Sequence, residues 1–336
     1  MKVLVTGGLG YIGSHTCVEL LEGGYDVVVL DNLSNSKEEV KDKIKEITGK
    51  DIKFYLGDMI DENLLDNIFT EEKIDAVIDF AAYKAVGESV QKPVEYYTNN
   101  ISTVLVLLKE MKKHNVKKIV FSSSATVYGD PEHVPIKETD KIGGTTNPYG
   151  TSKLFVEQIL KDLYKSDNTW DIAILRYFNP IGAHKSGLIG EEPNGIPANL
   201  MPYIAKVASG ELECLSIFGN DYPTKDGTGV RDYIHVVDLA IGHIKALEKL
   251  EKEQTGLYIY NLGTGMGYSV LDIVNAFEKV NQVKVNYKIA DRRPGDIAEC
   301  YSDPTKAKEE LGWEAKLTIE DMCKDAYNFI LKNKKS

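Results

Sequence analysis

Three glycines spaced three residues apart stand near the start of the chain, directly after a short apolar segment. Gly7, Gly10 and Gly13 follow residues 3–6, and a helix is predicted from about 13 to 22. A strand, a tight glycine turn and a helix in this order bring the backbone close to a pyrophosphate, whose charge the helix N-terminus stabilises. The chain is therefore predicted to begin with a dinucleotide-binding unit.

Apolar segments alternate with helical ones through the first half of the chain. Strands are predicted at 26–31, 53–58, 76–82, 118–124 and 172–179, and a long helix is predicted at 94–114. This alternation indicates an α/β fold built on a doubly wound parallel sheet of the Rossmann type. Ligands bind beyond the carboxyl ends of such strands. The residues expected to line one shared cleft there are Asp31, Asp58, Ala81, Ser124 and Asn179.

The composition of the sequence changes after residue 180: glycine and proline become frequent, and the predicted helices and strands become shorter. We expect a dinucleotide-binding domain over residues 1–180. Residues 233–264 are expected to return to it, because 258–262 resembles another buried strand. A smaller α/β substrate domain is expected over 181–232 and 265–336, with late helices near 269–280 and 319–331.

Composition narrows the class of protein. The chain has 336 residues and a net charge of −11, which argues against nucleic acid as a partner. Its four cysteines are scattered, and no histidine or cysteine cluster has metal-ligand spacing, so we expect no metal and reduced thiols in the cytoplasm. The first strand leaves no room for a signal peptide, and no apolar run approaches the roughly 20 residues of a membrane span.

An acidic residue selects among dinucleotides. Asp31 follows Gly13 by 18 residues, at the end of the second predicted strand. A carboxylate there accepts hydrogen bonds from both ribose hydroxyls and repels a 2′-phosphate, which favours NAD over NADP. Asp58 is a candidate partner for the adenine amino group. The alternative for both residues is a structural role in a turn.

Tyr149 and Lys153 stand four residues apart, which places them on one face of a helix. Asn147 suits the N-cap of that helix and Pro148 its first turn. The lysine and the helix dipole are expected to lower the phenol pKa, so that Tyr149 removes a proton from an alcohol. Ser124 is expected to orient that alcohol, and Lys153 to contact the nicotinamide ribose. The alternative is an ordinary surface helix.

These motifs resemble the extended short-chain dehydrogenase/reductase superfamily. Residues 84–90, 175–180, 218–224 and 229–235 are similar, more narrowly, to the UDP-glucose (UDP-galactose) 4-epimerase family. The resemblance implies that UDP-galactose and UDP-glucose are interconverted through a 4-keto sugar, while NAD stays tightly bound. In that family the equivalent of Tyr149 is the base for the sugar 4-hydroxyl. The resemblance also implies a homodimer, and the broad apolar arcs of the 94–114 and Tyr149 helices favour one.

The resemblance assigns two further sets of residues. The first set would hold the cofactor, together with the three glycines, Asp31, Ser124, Tyr149 and Lys153. It consists of Tyr11, Ile12, Asn32, Asn35, Ser36, Asp58, Met59, Phe80, Ala81, Lys84, Asn99 and Phe178. The second set would hold the UDP-sugar, together with Ser124 and Tyr149. It consists of Lys84, Tyr177, Asn179, Asn199, Leu200, Ser216, Ile217, Phe218, Arg231, Arg293, Asp296 and Cys300. Arg231 and Arg293 are expected to clamp the diphosphate.

Cys300 stands where members of the family often carry a tyrosine. A smaller side chain leaves room for an acetamido group, so UDP-GalNAc and UDP-GlcNAc are expected as further substrates, unless Tyr301 fills the space.

A UDP-glucuronate epimerase and an NAD-sensing binding module remain alternative functions. A sugar dehydratase is disfavoured because residues 125–127, which follow Ser124, include no carboxylate.

Overall fold

The computed structural model of the chain describes residues 1–192, 197–252, 255–293 and 295–334. Its strands are β1 (Lys2–Thr6), β2 (Asp26–Asp31), β3 (Lys53–Leu56), β4 (Ala76–Asp79), β5 (Lys118–Ser124), β6 (Asp171–Tyr177), β7 (Asn179–Ile181), β8 (Leu215–Phe218), β9 (Val230–His235), β10 (Leu257–Leu262), β11 (Gly267–Ser269), β12 (Tyr287–Ala290) and β13 (Glu299–Cys300). Its helices are α1 (Tyr11–Glu22), α2 (Val40–Thr48), α3 (Glu62–Glu72), α4 (Val86–Gln91), α5 (Pro93–Lys113), α6 (Pro148–Ser166), α7 (Leu200–Ala208), α8 (Val236–Lys252), α9 (Val270–Asn281), α10 (Thr305–Leu311) and α11 (Ile319–Asn333).

Seven parallel strands form the central sheet, in the order β10-β6-β5-β4-β1-β2-β3. The chain winds outward from β1 to β3 in one direction and from β4 to β10 in the other. The predicted doubly wound Rossmann-type fold is confirmed. The reversal between β1 and β4 opens a crevice at their carboxyl ends, the usual place for a ligand in such sheets.

Helices cover both faces of the central sheet and bury its apolar side chains. On one face α1 packs against α8 and α2, and on the other α5 packs against α3 and α6. Two large apolar clusters result, one on each face. Strands buried on both faces read as continuous apolar runs, as Ala76–Asp79 does, which is why the sequence predicted a parallel sheet.

Smaller sheets occupy the second half of the chain. Strand β9 pairs with β7, β11 and β13, while β8 pairs with β12. Helices α7, α9 and α11 pack around a third apolar cluster. Strand β9 runs into α8 without a loop, since one ends at His235 and the other begins at Val236.

Two strands of the central sheet end earlier than predicted, and a third predicted strand is divided in two. The strands predicted at 53–58 and 76–82 end at Leu56 and Asp79, so Asp58 and Ala81 lie in the loops that follow. The strand predicted at 172–179 divides, because Asn179 leaves the central sheet and pairs with Tyr233. Strand β10, from the segment predicted to return, lies at the sheet edge beside β6. The division into two domains stays a prediction.

All four cysteines are free thiols. Within the described ranges, no helix has both the length and the apolar character that crossing a membrane requires.

A buried ion pair joins α6 to the central sheet. Arg176 on β6 donates to both carboxylate oxygens of Glu157, at 2.9 and 2.7 Å, and neither side chain is more than 2% exposed. The Ser123 hydroxyl donates to the same carboxylate at 2.7 Å. Burial alone would raise the pKa of Glu157, but the hydrogen bonds from Arg176 and Ser123 hold that pKa below its usual value. The acid therefore stays charged inside the protein.

We predict that Arg176→Met destabilises the fold by about 3–5 kcal/mol, because it leaves a buried carboxylate without its partner. The matched control is Lys161→Ala, which removes the partly exposed lysine 3.2 Å from the same carboxylate and should cost about 0–1 kcal/mol. Urea denaturation followed by circular dichroism measures both. Equal midpoint shifts in the two variants would contradict the prediction.

Candidate active site

A cavity of about 420 Å³ opens at the carboxyl ends of the central strands. Its wall combines loops that follow β1, β2, β4 and β5 with residues from the second half of the chain. The predicted residues that line it are Gly7, Gly10, Tyr11, Ile12, Gly13, Asp31, Asn32, Asn35, Ser36, Asp58, Met59, Phe80, Ala81, Lys84, Asn99, Ser124, Tyr149, Lys153, Tyr177, Phe178, Asn179, Asn199, Arg231, Asp296 and Cys300.

Two glycines of the turn, Gly7 and Gly13, lie too close to neighbouring backbone for a larger residue. Gly7 has a φ of +65°, which glycine tolerates best, and a Cβ added there would lie 3.1 Å from the backbone nitrogen of Ala81. A Cβ at Gly13 would collide with the carbonyl oxygen of Gly7. Helix α1 begins at Tyr11, and no side chain caps it. The first residues of α1 line the cavity, so its free backbone N–H groups are available to an anion there.

Asp31 is buried at the end of β2 and organises the loops around it. Its carboxylate accepts from the backbone nitrogen of Leu9 at 3.0 Å, from that of Leu33 at 2.9 Å and from the Ser36 hydroxyl at 2.7 Å. The acid therefore has the structural role considered as an alternative, while it also lines the cavity. Asp58 accepts from Asn32 at 2.9 Å.

Helix α6 brings Tyr149 and Lys153 to the same side of the cavity as Ser124. Asn147 caps the helix as predicted, since its side chain accepts from the backbone nitrogen of Gly150 at 2.9 Å. Tyr149 lies in the first turn and is buried. Lys153 donates to the backbone carbonyl oxygen of Ser122 at 2.7 Å, so its ammonium group is fixed beneath the strand end.

The predicted direction of the Tyr149 pKa is wrong. Burial raises the pKa of the phenol above its usual value, and a hydrogen bond with Ser124 opposes the rise. Burial also lowers the pKa of Lys153 to about 8, against the opposing charge of Asp79. Removing both groups from water disfavours both of their charged forms. The group that opposes the rise at Tyr149 is thus the Ser124 hydroxyl and not the Lys153 ammonium, on which the prediction relied.

The opposite end of the cavity is more polar. Arg231 forms a short ion pair with Asp296, and its guanidinium also donates to its neighbour's carbonyl at Val230, at 2.8 Å. Asn179 and Asn199 also line the cavity. A guanidinium can neutralise the charge of a phosphate group, and amide side chains can donate hydrogen bonds to its oxygens.

Five of the predicted substrate residues do not line this cavity: Leu200, Ser216, Ile217, Phe218 and Arg293. Strand alternation buries the Ile217 side chain in the core, while Ser216 and Phe218 stay partly exposed. The role of Ile217 in holding the uracil stays a prediction. The Arg293 guanidinium lies 4.0 Å from the centre of the Phe218 ring. Phe218 ends β8 and Arg293 follows β12, and the pairing of these two strands brings the two residues together.

Glu191 lines the cavity but was not predicted from the sequence. Its side chain is 8% exposed and accepts a hydrogen bond from Lys84 at 3.1 Å. Thr126 was also missed, and its hydroxyl donates to Ser124 at 3.0 Å. Neither residue belongs to a motif with a recognisable spacing, so only the fold shows that they reach the site.

One group of acidic and histidine side chains elsewhere in the described ranges comes close enough to share a cation. Asp66 on α3 lies close to Glu110 on α5 and to His114, which directly follows α5. The Lys113 ammonium group already lies 2.8 Å from Asp66 and 3.2 Å from Glu110. A lysine in this position neutralises the acids, so this group carries no assignment as a metal site.

Comparisons with known proteins agree with this geometry. The family model described as GDP-mannose 4,6 dehydratase matches residues 4–326. A UDP-glucose 4-epimerase of Pasteurella multocida is 65% identical, and the match covers 100% of this chain and 99% of that protein.

Solved structures are equally similar. The UDP-glucose 4-epimerase of Bifidobacterium longum, in complex with NAD+ and UDP, has a TM-score of 0.97 at 58% identity and covers 99% of both chains. A second, from Stenotrophomonas maltophila with bound NAD and formylated UDP-arabinopyranose, has a TM-score of 0.96 at 50% identity and covers 99% of this chain and 98% of that one. Family model, relatives and structures together show that this chain belongs to the UDP-glucose 4-epimerase family of extended short-chain dehydrogenases/reductases.

Proposed function

We propose that this protein interconverts UDP-galactose and UDP-glucose by transient oxidation at sugar C4, with NAD held throughout. The observation that carries the proposal is the meeting of Ser124, Tyr149 and Lys153 with the glycine turn in one cavity. The chain matches UDP-glucose 4-epimerases over its full length, which supports this substrate class. Epimerisation leaves the cofactor unchanged overall, so no second redox substrate is needed.

The cavity fits a dinucleotide. A Cβ would collide within the glycine turn, the α1 N-terminus faces the cavity, and Asp31 lies where a ribose would be bound. Gly7, Gly10, Gly13 and Asp31 would hold the adenosine and pyrophosphate, while Lys153 would contact the nicotinamide ribose. When bound there, NAD+ would supply the acceptor for the hydride that leaves sugar C4, and a positive charge.

Tyr149 is the general base in this proposal. Its phenol would accept the proton of the sugar 4-hydroxyl, while Ser124 orients that hydroxyl. Because burial raises the pKa of Tyr149, an added positive charge is needed to stabilise the phenolate. Lys153, whose pKa burial lowers to about 8, remains largely charged near neutral pH. We propose that it adds to this stabilisation once the cofactor is bound.

The sugar must rotate between the two half-reactions while its nucleotide stays bound. Arg231, Asn179 and Asn199 offer a cation and two amides at one end of the cavity, and we propose that they hold the diphosphate. Phe218 and Arg293 lie outside the cavity wall and would hold the uridine. At the end near Tyr149 the Lys153 ammonium already donates to the Ser122 carbonyl oxygen, and we propose that the sugar is held more weakly there. Strong binding at one end and weak binding at the other permit the rotation.

Dehydration of a nucleotide sugar is disfavoured by the surroundings of Ser124. The side chain beside it is Thr126, whose hydroxyl donates to Ser124 at 3.0 Å. Elimination would need a carboxylic acid in this position to move a proton. A threonine cannot serve as that acid, so the reaction stops at epimerisation.

Cys300 suggests a broader choice of sugar. Its side chain lines the cavity and is 9% exposed, and burial raises the pKa of its thiol to about 11, so it is a small neutral group. Tyr301 does not fill the space, because its ring packs near Gly267 instead. We propose that the free volume admits the acetamido group of UDP-GalNAc and UDP-GlcNAc.

Two copies of the chain are proposed to associate through α5 and α6. Leu105 and Phe155 are each nearly half exposed on these helices, and the Phe155 ring stacks on Tyr97 with centroids 6.0 Å apart. Fully burying an apolar side chain of this size is favourable by about 1.5–3 kcal/mol, so covering the exposed half of each gains roughly half of that. A twin helix pair would cover them and form a four-helix interface.

Tyr149→Phe is expected to lower kcat for UDP-galactose about 10²–10⁴-fold, since the base is lost, without loss of bound NAD. Turnover is measured by product analysis without added NAD, and bound NAD by chromatography after denaturation. Tyr164→Phe, on the same helix but outside the cavity wall, is the control and should act as wild type. An unchanged rate in Tyr149→Phe would favour an NAD-sensing module instead.

Cys300→Tyr is expected to reduce kcat/KM for UDP-GalNAc by about 10–200-fold, because a filled pocket discriminates by this order. Activity on UDP-galactose should stay close to wild type. Cys300→Ala keeps the volume and serves as the control. If the tyrosine variant and wild type treat the acetylated and plain sugars alike, Cys300 does not govern sugar choice.

Replacing both Leu105 and Phe155 by glutamate is expected to yield a monomer, because charges would then face each other across the apolar interface. Light scattering coupled to gel filtration measures the mass. Ile289→Glu, at a similarly exposed residue on β12, is the control and should leave the dimer intact. A wild-type protein that is monomeric at micromolar concentration would refute the interface.

A further inference from the structure

A single carboxylate oxygen connects two parts of the cavity wall. Oε1 of Glu191 accepts from the Lys84 ammonium at 3.1 Å and from the Asn199 amide nitrogen at 2.6 Å. The acid itself is almost fully buried, with 8% of its side chain exposed. All three residues line the cavity.

The two partners of Glu191 belong to different regions of the fold. Lys84 lies in the loop between β4 and α4, and its ammonium is 5.8 Å from the centre of the Tyr11 ring at the start of α1. Asn199 directly precedes α7, in the region of the smaller sheets. Glu191 thus stands between the glycine turn and the polar end of the cavity.

Asn199 gives up a common local role to make this contact. It occupies the N-cap position of α7, where asparagine side chains usually accept a hydrogen bond from the helix backbone. No such bond is present. Its amide nitrogen donates to Glu191 instead, which leaves the second N–H and the carbonyl oxygen of the amide for another partner.

A carboxylate at Glu191 is unfavourable for binding phosphate groups unless it orders the side chains that bind them. The proposed ligands carry phosphate groups at both sides of it, and like charges repel. Lysine has a long flexible stem, so an unrestrained Lys84 ammonium would sample many positions at entropic cost to binding. An acid that fixes the ammonium and the amide together removes part of that cost.

We propose that Glu191 is a positioning residue that holds Lys84 toward the cofactor and Asn199 toward the UDP-sugar. This inference rests on the proposed function, and it adds that one acid supports binding at both ends of the cavity. Glu191 touches no reacting atom in this account. Its removal should therefore weaken binding far more than it slows the chemical step.

Two substitutions separate the two contacts. Glu191→Gln keeps an oxygen that accepts from Asn199 but loses the ion pair with Lys84, whereas Glu191→Ala loses both. For Glu191→Ala we expect the Kd of UDP, measured by calorimetry on the NAD-loaded enzyme, to rise about 10-fold or more, as loss of a charged hydrogen bond predicts. NAD should be lost faster on gel filtration. Glu191→Gln should lose NAD faster yet bind UDP nearly as wild type.

The neighbouring acid supplies the matched control. Glu192 pairs with Lys37 at 2.6 Å, but both side chains are more than 40% exposed, so Glu192→Ala should leave UDP binding and NAD retention unchanged. In Glu191→Ala, kcat at saturating substrate and NAD should fall less than about 3-fold, since the base and its partners remain. Lys84→Met should add little to NAD loss in the Glu191→Ala background, because the two residues act as a unit.

The proposal is overturned if Glu191→Ala matches Glu192→Ala in both UDP affinity and NAD retention. It is also overturned if kcat falls while UDP affinity and NAD retention stay at wild-type values. Binding of UDP and retention of NAD are measured without turnover. A wild-type enzyme that does not convert UDP-galactose would therefore refute the proposed reaction and leave the result for Glu191 readable.

Discussion

Docking of α6 against the end of β5 is the contact on which the arrangement of the cavity depends. Two hydrogen bonds fix the later turns of α6: Lys153 donates to the Ser122 carbonyl, and Glu157 accepts from the Ser123 hydroxyl. Tyr149, Lys153 and Glu157 follow one another at four-residue intervals on one helix face. Fixing the two later residues against the strand therefore also fixes the phenol, and the buried guanidinium beneath Glu157 keeps that anchor charged.

Burial acts differently at the two ends of the cavity. At the reacting end it raises the pKa of Tyr149 and lowers that of Lys153, so both groups resist charge. At the other end Arg231 and Asp296 keep 17% and 33% of their side chains exposed, and their charges remain partly solvated. A dry reacting end makes the protonation of the phenol sensitive to any neighbouring charge, while a wetter end holds a charged ligand at less desolvation cost.

Local patterns predicted most of the fold and much of the site. The glycine spacing, the continuous apolar strands and the Asn147 cap depend on neighbouring residues, so the sequence displays them directly. The pKa direction of Tyr149 depends on how much of the chain covers it, which no local pattern states. The orientation of Ile217 required knowing which face of β8 is buried. Glu191 is a loop acid without a motif, and only the folded chain brings it to its partners.

The uninterrupted passage from β9 into α8 limits how the molecule can move. Strand β9 carries Arg231, while α8 packs on α1, the helix that follows the glycine turn. Because no loop separates them, a displacement of the α8 start is passed directly to the end of β9. The position of Arg231 is therefore tied, through β9 and α8, to the helix that follows the glycine turn.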